Sequence, residues 1–222
     1  MKKEKIQALE QALCMLLRER ELKKITVKEV CMNAGVSRSA FYTYFDDIYS
    51  LAREIEDRIL DDVMQIMEKR EGFDFQAVKN GKSDFIFSEI CKYCYKNRDI
   101  YRAMFGFYGN AEFVYRYERI IFEDFMRRID KESNIRFPEM VASACSGAAI
   151  WLCRTWFSDI DLARPEEVAM LHTDIVYKGI LLPNLCAASK ENSPDRVFQR
   201  DKLWPVSENW GTTKREEGFW KR

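Results

Sequence analysis

With 222 residues, 47% of them hydrophobic and 14% aromatic, the chain carries ample apolar material for a sizeable core. Its 36 basic and 36 acidic residues cancel to a formal net charge of zero, which argues against indiscriminate nucleic-acid binding, a property of strongly positive surfaces. No apolar run approaches the ~20 residues that span a bilayer, and no apolar segment follows the basic N-terminal residues as a secretory signal requires; a cytoplasmic protein with no membrane partner is expected. Seven cysteines, an odd number scattered through helical patterns, read as small hydrophobes in a reduced protein rather than a disulfide framework.

Charge is unevenly placed. Residues 1–45 hold nine basic and five acidic side chains, a net +4 that the rest of the chain offsets. A modestly basic head on an acidic body suits a protein that docks one end on DNA. Glycine and proline are scarce and strand-like alternation is absent, so the expected fold class is all-α, with about nine helices.

A first helix is expected over about Lys5 to Arg20, with Ile6, Leu9, Leu13, Leu16 and Leu17 on one face. The stretch Ile25 to Phe45, ITVKEVCMNAGVSRSAFYTYF, then reads as two short helices joined by a tight turn. Thr26 followed three residues later by Glu29 is a capping box and starts a helix at Val27. Val27, Val30, Cys31 and Ala34 give that helix one apolar face. Gly35 stands where a helix ending in a left-handed residue needs no Cβ. Ser37 can cap the next helix, and Val36 and Phe41 occupy the two positions of a hydrophobic staple across that cap. The second helix, roughly Arg38 to Tyr44, turns Ala40 and Phe41 inward and Arg38, Ser39, Tyr42 and Thr43 outward. A helix-turn-helix is the simplest object with all these features.

Asp46-Asp47 precedes a long helix with a stripe Leu51, Ile55, Ile59, Val63, Ile66, reaching about Lys69 and ended by Glu71-Gly72-Phe73. Further helices are expected over Phe85 to Arg98, Asp99 to Phe107 (broken by Gly106-Phe107-Tyr108-Gly109-Asn110), Ala111 to Arg128, and, after a connection Asn134 to Pro138, over Pro138 to Phe157. Pro165-Glu166-Glu167 opens a final helix that runs through Ile180 and stops at Pro183. From Asn184 no helical period persists, leaving an irregular tail that is either disordered or folded back. The domains are thus read as 1–48, 49–183 and the tail 184–222.

The run A-G-V-S-R-S-A-F-Y-T-Y-F, with T-V-K-E-V before it and an amphipathic helix after it, resembles the DNA-binding domain of TetR-type transcriptional regulators over about Lys5 to Leu60. Y-K-N-R-D-I-Y, G-A-A-I-W with the following Trp156, and R-P-E-E-V-A resemble C-terminal domains of the same family, especially a group in Gram-positive bacteria. The resemblance implies a three-helix homeodomain-like domain plus a larger helical bundle, and a homodimer that binds double-stranded DNA at a palindrome. It further implies release by a small-molecule effector held among the C-terminal helices.

Arg38 suits the reading of a base, because its planar fork matches guanine O6 and N7. Tyr42 and Tyr44 are expected to donate to phosphates, as the family's aromatic cluster implies; Tyr44 alternatively packs inside the module. Thr26 and Lys28, at the start of the preceding helix, also suit phosphate. Ser37, Ser39 and Thr43 complete the expected face, Ser37 either as a contact or only as a cap. Many family members place a lysine at the start of the fourth helix; here Ile48 stands there, beside Asp46 and Asp47, which leaves open a regulator that binds a protein partner instead of DNA. Candidate effector-lining residues are Tyr93, Tyr101, Phe105, Tyr117, Trp151 and Trp156, each alternatively plain core. Candidate dimer residues are Ala142, Gly147, Ala149, Val168, Leu171 and Ile175. His172, the one histidine, reads as a partner-facing polar residue. Cys91-x-x-Cys94 has redox or metal spacing but no second pair nearby, so packing is the simpler reading. No phosphate loop, nucleophile elbow or dinucleotide fingerprint is present; no enzyme activity, cofactor or metal is expected.

Overall fold

The computed structural model describes residues 2–69, 80–129, 135 and 137–181. The chain divides into two units, Met1–Glu191 and Asn192–Arg222, and every described residue lies in the first. The expected stops at Glu71-Gly72-Phe73 and Pro183, the link at Asn134, and the tail 184–222 fall outside the described residues. The fold is all-α: nine helices and no strand among the described residues.

Helix α1 (Lys2–Leu17) begins and ends three residues before the expected bounds, and a 3-10 turn at Leu22–Lys24 follows it. Its Leu9 and Leu13 are completely buried, and the helix packs on α2 (Val27–Ala34) and α4 (Ile48–Glu68), while α3 (Arg38–Tyr42) packs on α2. Val30, Cys31 and Phe41 close this small core from the other side, with the Phe41 and Phe45 rings 5.6 Å apart. Each such buried aliphatic or aromatic side chain contributes roughly 1.5–3 kcal/mol. The α3 helix stops at Tyr42, two residues short of the expectation.

The 21 residues of α4 bury Leu51, Ile55, Ile59 and Val63 as one stripe, and the helix links the α1–α3 module to the body. Arg58 donates to Glu10 of α1 at 2.7 Å. On the other side, Arg116 pairs with Asp57 at 2.5 Å, Asn110 donates to Glu56 at 3.0 Å, and the Tyr93 hydroxyl donates to Asp62. Burial pushes the Glu56 carboxyl up, against the hydrogen bond from Asn110 and the nearby charge of Arg116.

The body comprises α5 (Phe85–Lys96), α6 (Arg98–Met104), α7 (Ala111–Ile129), α8 (Pro138–Ser158) and α9 (Pro165–His172). Between α6 and α7 the chain turns so tightly that a Cβ on Gly109 would lie 2.0 Å from the Met104 carbonyl oxygen. Helix α7 packs along α8, and α9 packs on α5. Tyr101, Phe105, Phe113, Tyr117 and Phe157 form a ring cluster at the centre, with centroid separations between 4.9 and 6.4 Å. Trp156 completes one edge; its indole donates to the Ala163 and Ile160 carbonyls.

The last helix departs from expectation. The α winding ends at His172, and a wider π winding continues over Thr173–Leu181. Buried residues come in pairs, Val168-Ala169, His172-Thr173 and Val176-Tyr177. That four-residue spacing exceeds the 3.6 residues of an α turn, and looser winding keeps all three pairs inward. Asp84 pins the segment: its N–H donates to the Thr173 hydroxyl at 3.0 Å, and its carboxylate accepts from the Tyr177 hydroxyl at 2.5 Å. His172 is buried here, stacked on Phe87 with ring centroids 3.4 Å apart. The partner-facing reading of His172 is therefore corrected: it is a core residue.

Candidate nucleic-acid interface

The α2–α3 hairpin is built by local contacts. The Glu29 N–H donates to the Thr26 hydroxyl at 3.3 Å, and the Glu29 carboxylate accepts from the Thr26 N–H at 2.9 Å and the Thr26 hydroxyl at 2.7 Å, a complete capping box. Those bonds to Thr26 hold the Glu29 carboxyl below the usual carboxylate range, with Arg20 adding to the effect at 2.7 Å. At the other end of α2, Gly35 adopts φ 62°, the Gly35 N–H reaches the Met32 carbonyl and the Val36 N–H reaches the Cys31 carbonyl. This double closure is a Schellman motif. Ser37 then caps α3 by accepting from the Ala40 N–H at 3.2 Å.

With both ends closed and Phe41 completely buried, one direction remains for the other side chains of α3. Ser37, Arg38, Ser39, Tyr42 and Thr43 are all exposed. The Ser37 and Ser39 hydroxyls lie 3.1 Å apart, and Thr43 donates to the Ser39 carbonyl. Arg38 makes no hydrogen bond or ion pair with any described residue, so its guanidinium donors are free. Tyr42 is 51% exposed and packs edge-on against Phe41. Tyr44 is half-buried, with the Lys2 ammonium 5.8 Å from its ring centroid, and so has one side in the module and one outside. Thr26 and Lys28 are exposed at the start of α2.

Nearby acids are largely neutralised. Glu21 pairs with Lys23 at 2.8 Å, and Glu29 with Arg20. Of the two aspartates before α4, Asp47 spends its carboxylate on its own helix, accepting from the Ser50 N–H at 2.8 Å while the Ser50 hydroxyl accepts in return. Ile48 is buried beside them, which explains an apolar residue at that place. Only Asp46 of this pair remains as an exposed acid.

In the body, five of the six residues named for an effector site share the aromatic core. Tyr93 stands edge-on to Tyr101 at 6.1 Å, Tyr101, Phe105 and Tyr117 belong to the buried cluster, and Trp156 joins it through Phe157. Trp151 does not join them: it is 66% exposed on the outer side of α8, beneath the Arg154 guanidinium.

The expected dimer residues divide. Ala142, Ala149 and Val168 are buried within the subunit, where small side chains let α8 approach its own neighbours, so they are not available to a second copy. Gly147 is half-buried, and Leu171 and Ile175 are 48% and 42% exposed. They face outward together with Met140, Trp151 and Met170, which the sequence reading missed. The overlooked signal was a second stripe on α8, Met140, Ala144, Gly147, Trp151, at helical spacing on the side opposite the buried small residues.

Cys91 and Cys94 of α5 lie near Cys153 of α8, all buried. Burial pushes the Cys91 and Cys94 thiols well up and that of Cys153 up to about 12. Such thiols stay protonated and inert. Among the described residues no group of three or more His, Cys, Asp or Glu side chains is placed to hold a metal, and no helix is long and apolar enough to cross a membrane.

Residues 82–178 match a family described as a transcriptional regulator C-terminal region. No curated protein matches the chain by sequence. Among solved structures, the chain is similar to SmeT, the repressor of the multidrug efflux pump SmeDEF of Stenotrophomonas maltophilia, with a TM-score of 0.61 at 15% identity over 88% of this chain and 98% of that one. It is similar to NalD, the secondary repressor of the MexAB-OprM multidrug efflux pump of Pseudomonas aeruginosa, with a TM-score of 0.59 at 16% identity over 82% and 99% of the two chains. A TetR transcriptional regulator from Streptococcus agalactiae gives a TM-score of 0.54 at 18% identity over 79% and 94%. Residues 82–178 thus match a TetR-type family model for the C-terminal region, and the chain has the fold of these TetR-type regulators over nearly their whole length.

Proposed function

We propose that this regulator is a sequence-specific DNA-binding repressor that acts as a dimer on a palindromic operator and is released by a small-molecule effector. The observation that carries the reading is the exposed strip of α3, capped at its start by Ser37 and holding Arg38 free of any partner among the described residues. A guanidinium so placed can donate two parallel bonds to a guanine edge, while hydroxyls and phenols beside it meet phosphate. The exposed Lys28 adds sequence-independent attraction.

The outward apolar face of Met140, Trp151, Met170, Leu171 and Ile175 supports a second copy as its cover. A two-fold pair would hold two recognition helices about 34–36 Å apart, one turn of DNA. SmeT and NalD are repressors, and that role is carried to this chain as part of the proposal.

The test is an operator titration with DNA from around the chain's own gene. Arg38→Ala should cost about 1–3 kcal/mol on the operator and little on random DNA, whereas Lys28→Ala should weaken both alike. Equal losses for Arg38→Ala on both DNAs contradict its role as a base reader. Absence of any sequence preference at low salt would favour a regulator that works through a protein partner, the reading that Asp46, Asp47 and Ile48 first raised.

A further inference from the structure

His172 sits where the α winding of α9 gives way to the wider winding over Thr173–Leu181. It is 1% exposed; its ring lies flat on Phe87 at 3.4 Å and edge-on to Tyr177 at 5.7 Å. The space left beside these rings is about 10 Å³, room for one water at most. Three other titratable groups line that space: Asp84 ahead of α5, Asp124 of α7 and Tyr177 of the wider winding. The two carboxylates are buried, so both share a nearly dry corner with the chain's one histidine. The titratable side chains that α8 buries are thiols, Cys145 and Cys153; α5 adds Cys91, and α4 reaches the space through the uncharged Met67.

Asp84 is the group that holds the winding. Its carboxylate accepts from the Tyr177 hydroxyl at 2.5 Å and from the Ile86 N–H at 3.2 Å, and its own N–H donates to Thr173. Asp124 meets the exposed Arg127 only at 3.6 Å. Histidine is the side chain whose ordinary pKa, about 6.5, lets it gain a charge near neutral pH. A proton taken up by His172 adds one positive charge beside two negative ones, where almost no water screens the attraction. The stack on Phe87 survives that change, because a cation over a ring face is attracted to it.

We propose that His172, Asp84 and Asp124 form a proton-operated clamp: protonation of the imidazole tightens the hold of Asp84 on the wider winding, and its loss slackens that hold. The sign follows from a base that gains acidic partners on folding: its contribution is full at low pH and is lost as pH rises through its titration. Leu171 and Ile175, on either side of His172 in the chain, face outward with Met170. Their spacing follows the winding, so self-association should be tighter on the acid side of the titration. That consequence rests on the reading of this face as an interface between copies; the clamp itself does not.

The experiment is a titration of the full chain between about pH 5 and 8.5, following the one imidazole by NMR. Amide exchange over Thr173–Leu181 is measured in the same samples as a ratio to that of α5, which cancels the intrinsic effect of pH on exchange. The imidazole should titrate within that range, and the relative protection of Thr173–Leu181 should fall about tenfold as the proton leaves. Asp124→Asn, which leaves the Asp84 bonds in place, should lower the imidazole midpoint by about one unit. His172→Gln, which cannot ionise, should hold one ratio throughout. An imidazole that does not titrate, a constant ratio in the parent chain, or a fall that persists in His172→Gln would overturn the proposal. Should His172→Gln not fold, an unmoved midpoint in Asp124→Asn overturns it equally. A monomer at every pH, with exchange as described, would fail the dimer reading and leave the clamp standing.

Discussion

The α3 strip and the outer face of α8 and α9 both present a row of exposed side chains, but they reach that state by different physics. On α3 every determinant lies within a few residues: the Ser37 cap, the Gly35 turn and the Thr26–Glu29 box each close on a neighbour three to five positions away. On α8 the sequence offers two stripes, one small and one bearing bulky residues, and only packing against the rest of the chain decides which is buried. Small residues, suited in principle to close helix contact anywhere, are spent inside the subunit, and the bulky Met140 and Trp151 are left outside. Local signals therefore settle what a segment is, while long-range packing settles which way it faces.

The contrast can be broken hardest at Phe41, the one large side chain that anchors α3 from beneath. Phe41→Ala should cost about 3–5 kcal/mol, measured by chemical denaturation, and should remove DNA affinity with it. If operator affinity survives at full strength, the strip is not held by the packing described. On the other face, Trp151→Glu should weaken self-association by about 2 kcal/mol or more, seen as monomer in sedimentation velocity, with the subunit's helical content unchanged. A monodisperse monomer in the parent protein would refute that face as an interface between copies.

Tyr177→Phe removes the hydroxyl that Asp84 accepts from. It should cost about 1–3 kcal/mol and raise amide exchange over Thr173–Leu181 before it does so in α5. Uniform protection there would mean that Asp84 does not hold the wider winding.

The smallest effect is a pH dependence. Burial raises the Glu56 carboxyl in the folded state, so folding favours its neutral form. The associated stability is full below the ordinary carboxylate value and is lost as pH rises through the raised one. Glu56→Gln stays neutral and still accepts from Asn110, so its thermal midpoint should fall less than the parent's between about pH 4 and 7. Glu10, raised by the same cause, leaves a residual slope in both; parallel curves for parent and variant would show that Glu56 does not contribute.

The sequence by itself determined the helical class, the existence and most bounds of the helices, and the α2–α3 hairpin apart from the end of α3, down to which hydroxyl caps and which glycine turns left-handed. These follow from contacts between near neighbours along the chain, which a string of residues displays. Only the tertiary structure decided that Ala142, Ala149 and Val168 turn inward while Trp151 turns outward, and that His172 lies stacked on Phe87 instead of facing a partner. It also decided that the last helix loosens at Thr173, because Asp84, some ninety residues earlier, draws Thr173 and Tyr177 onto itself.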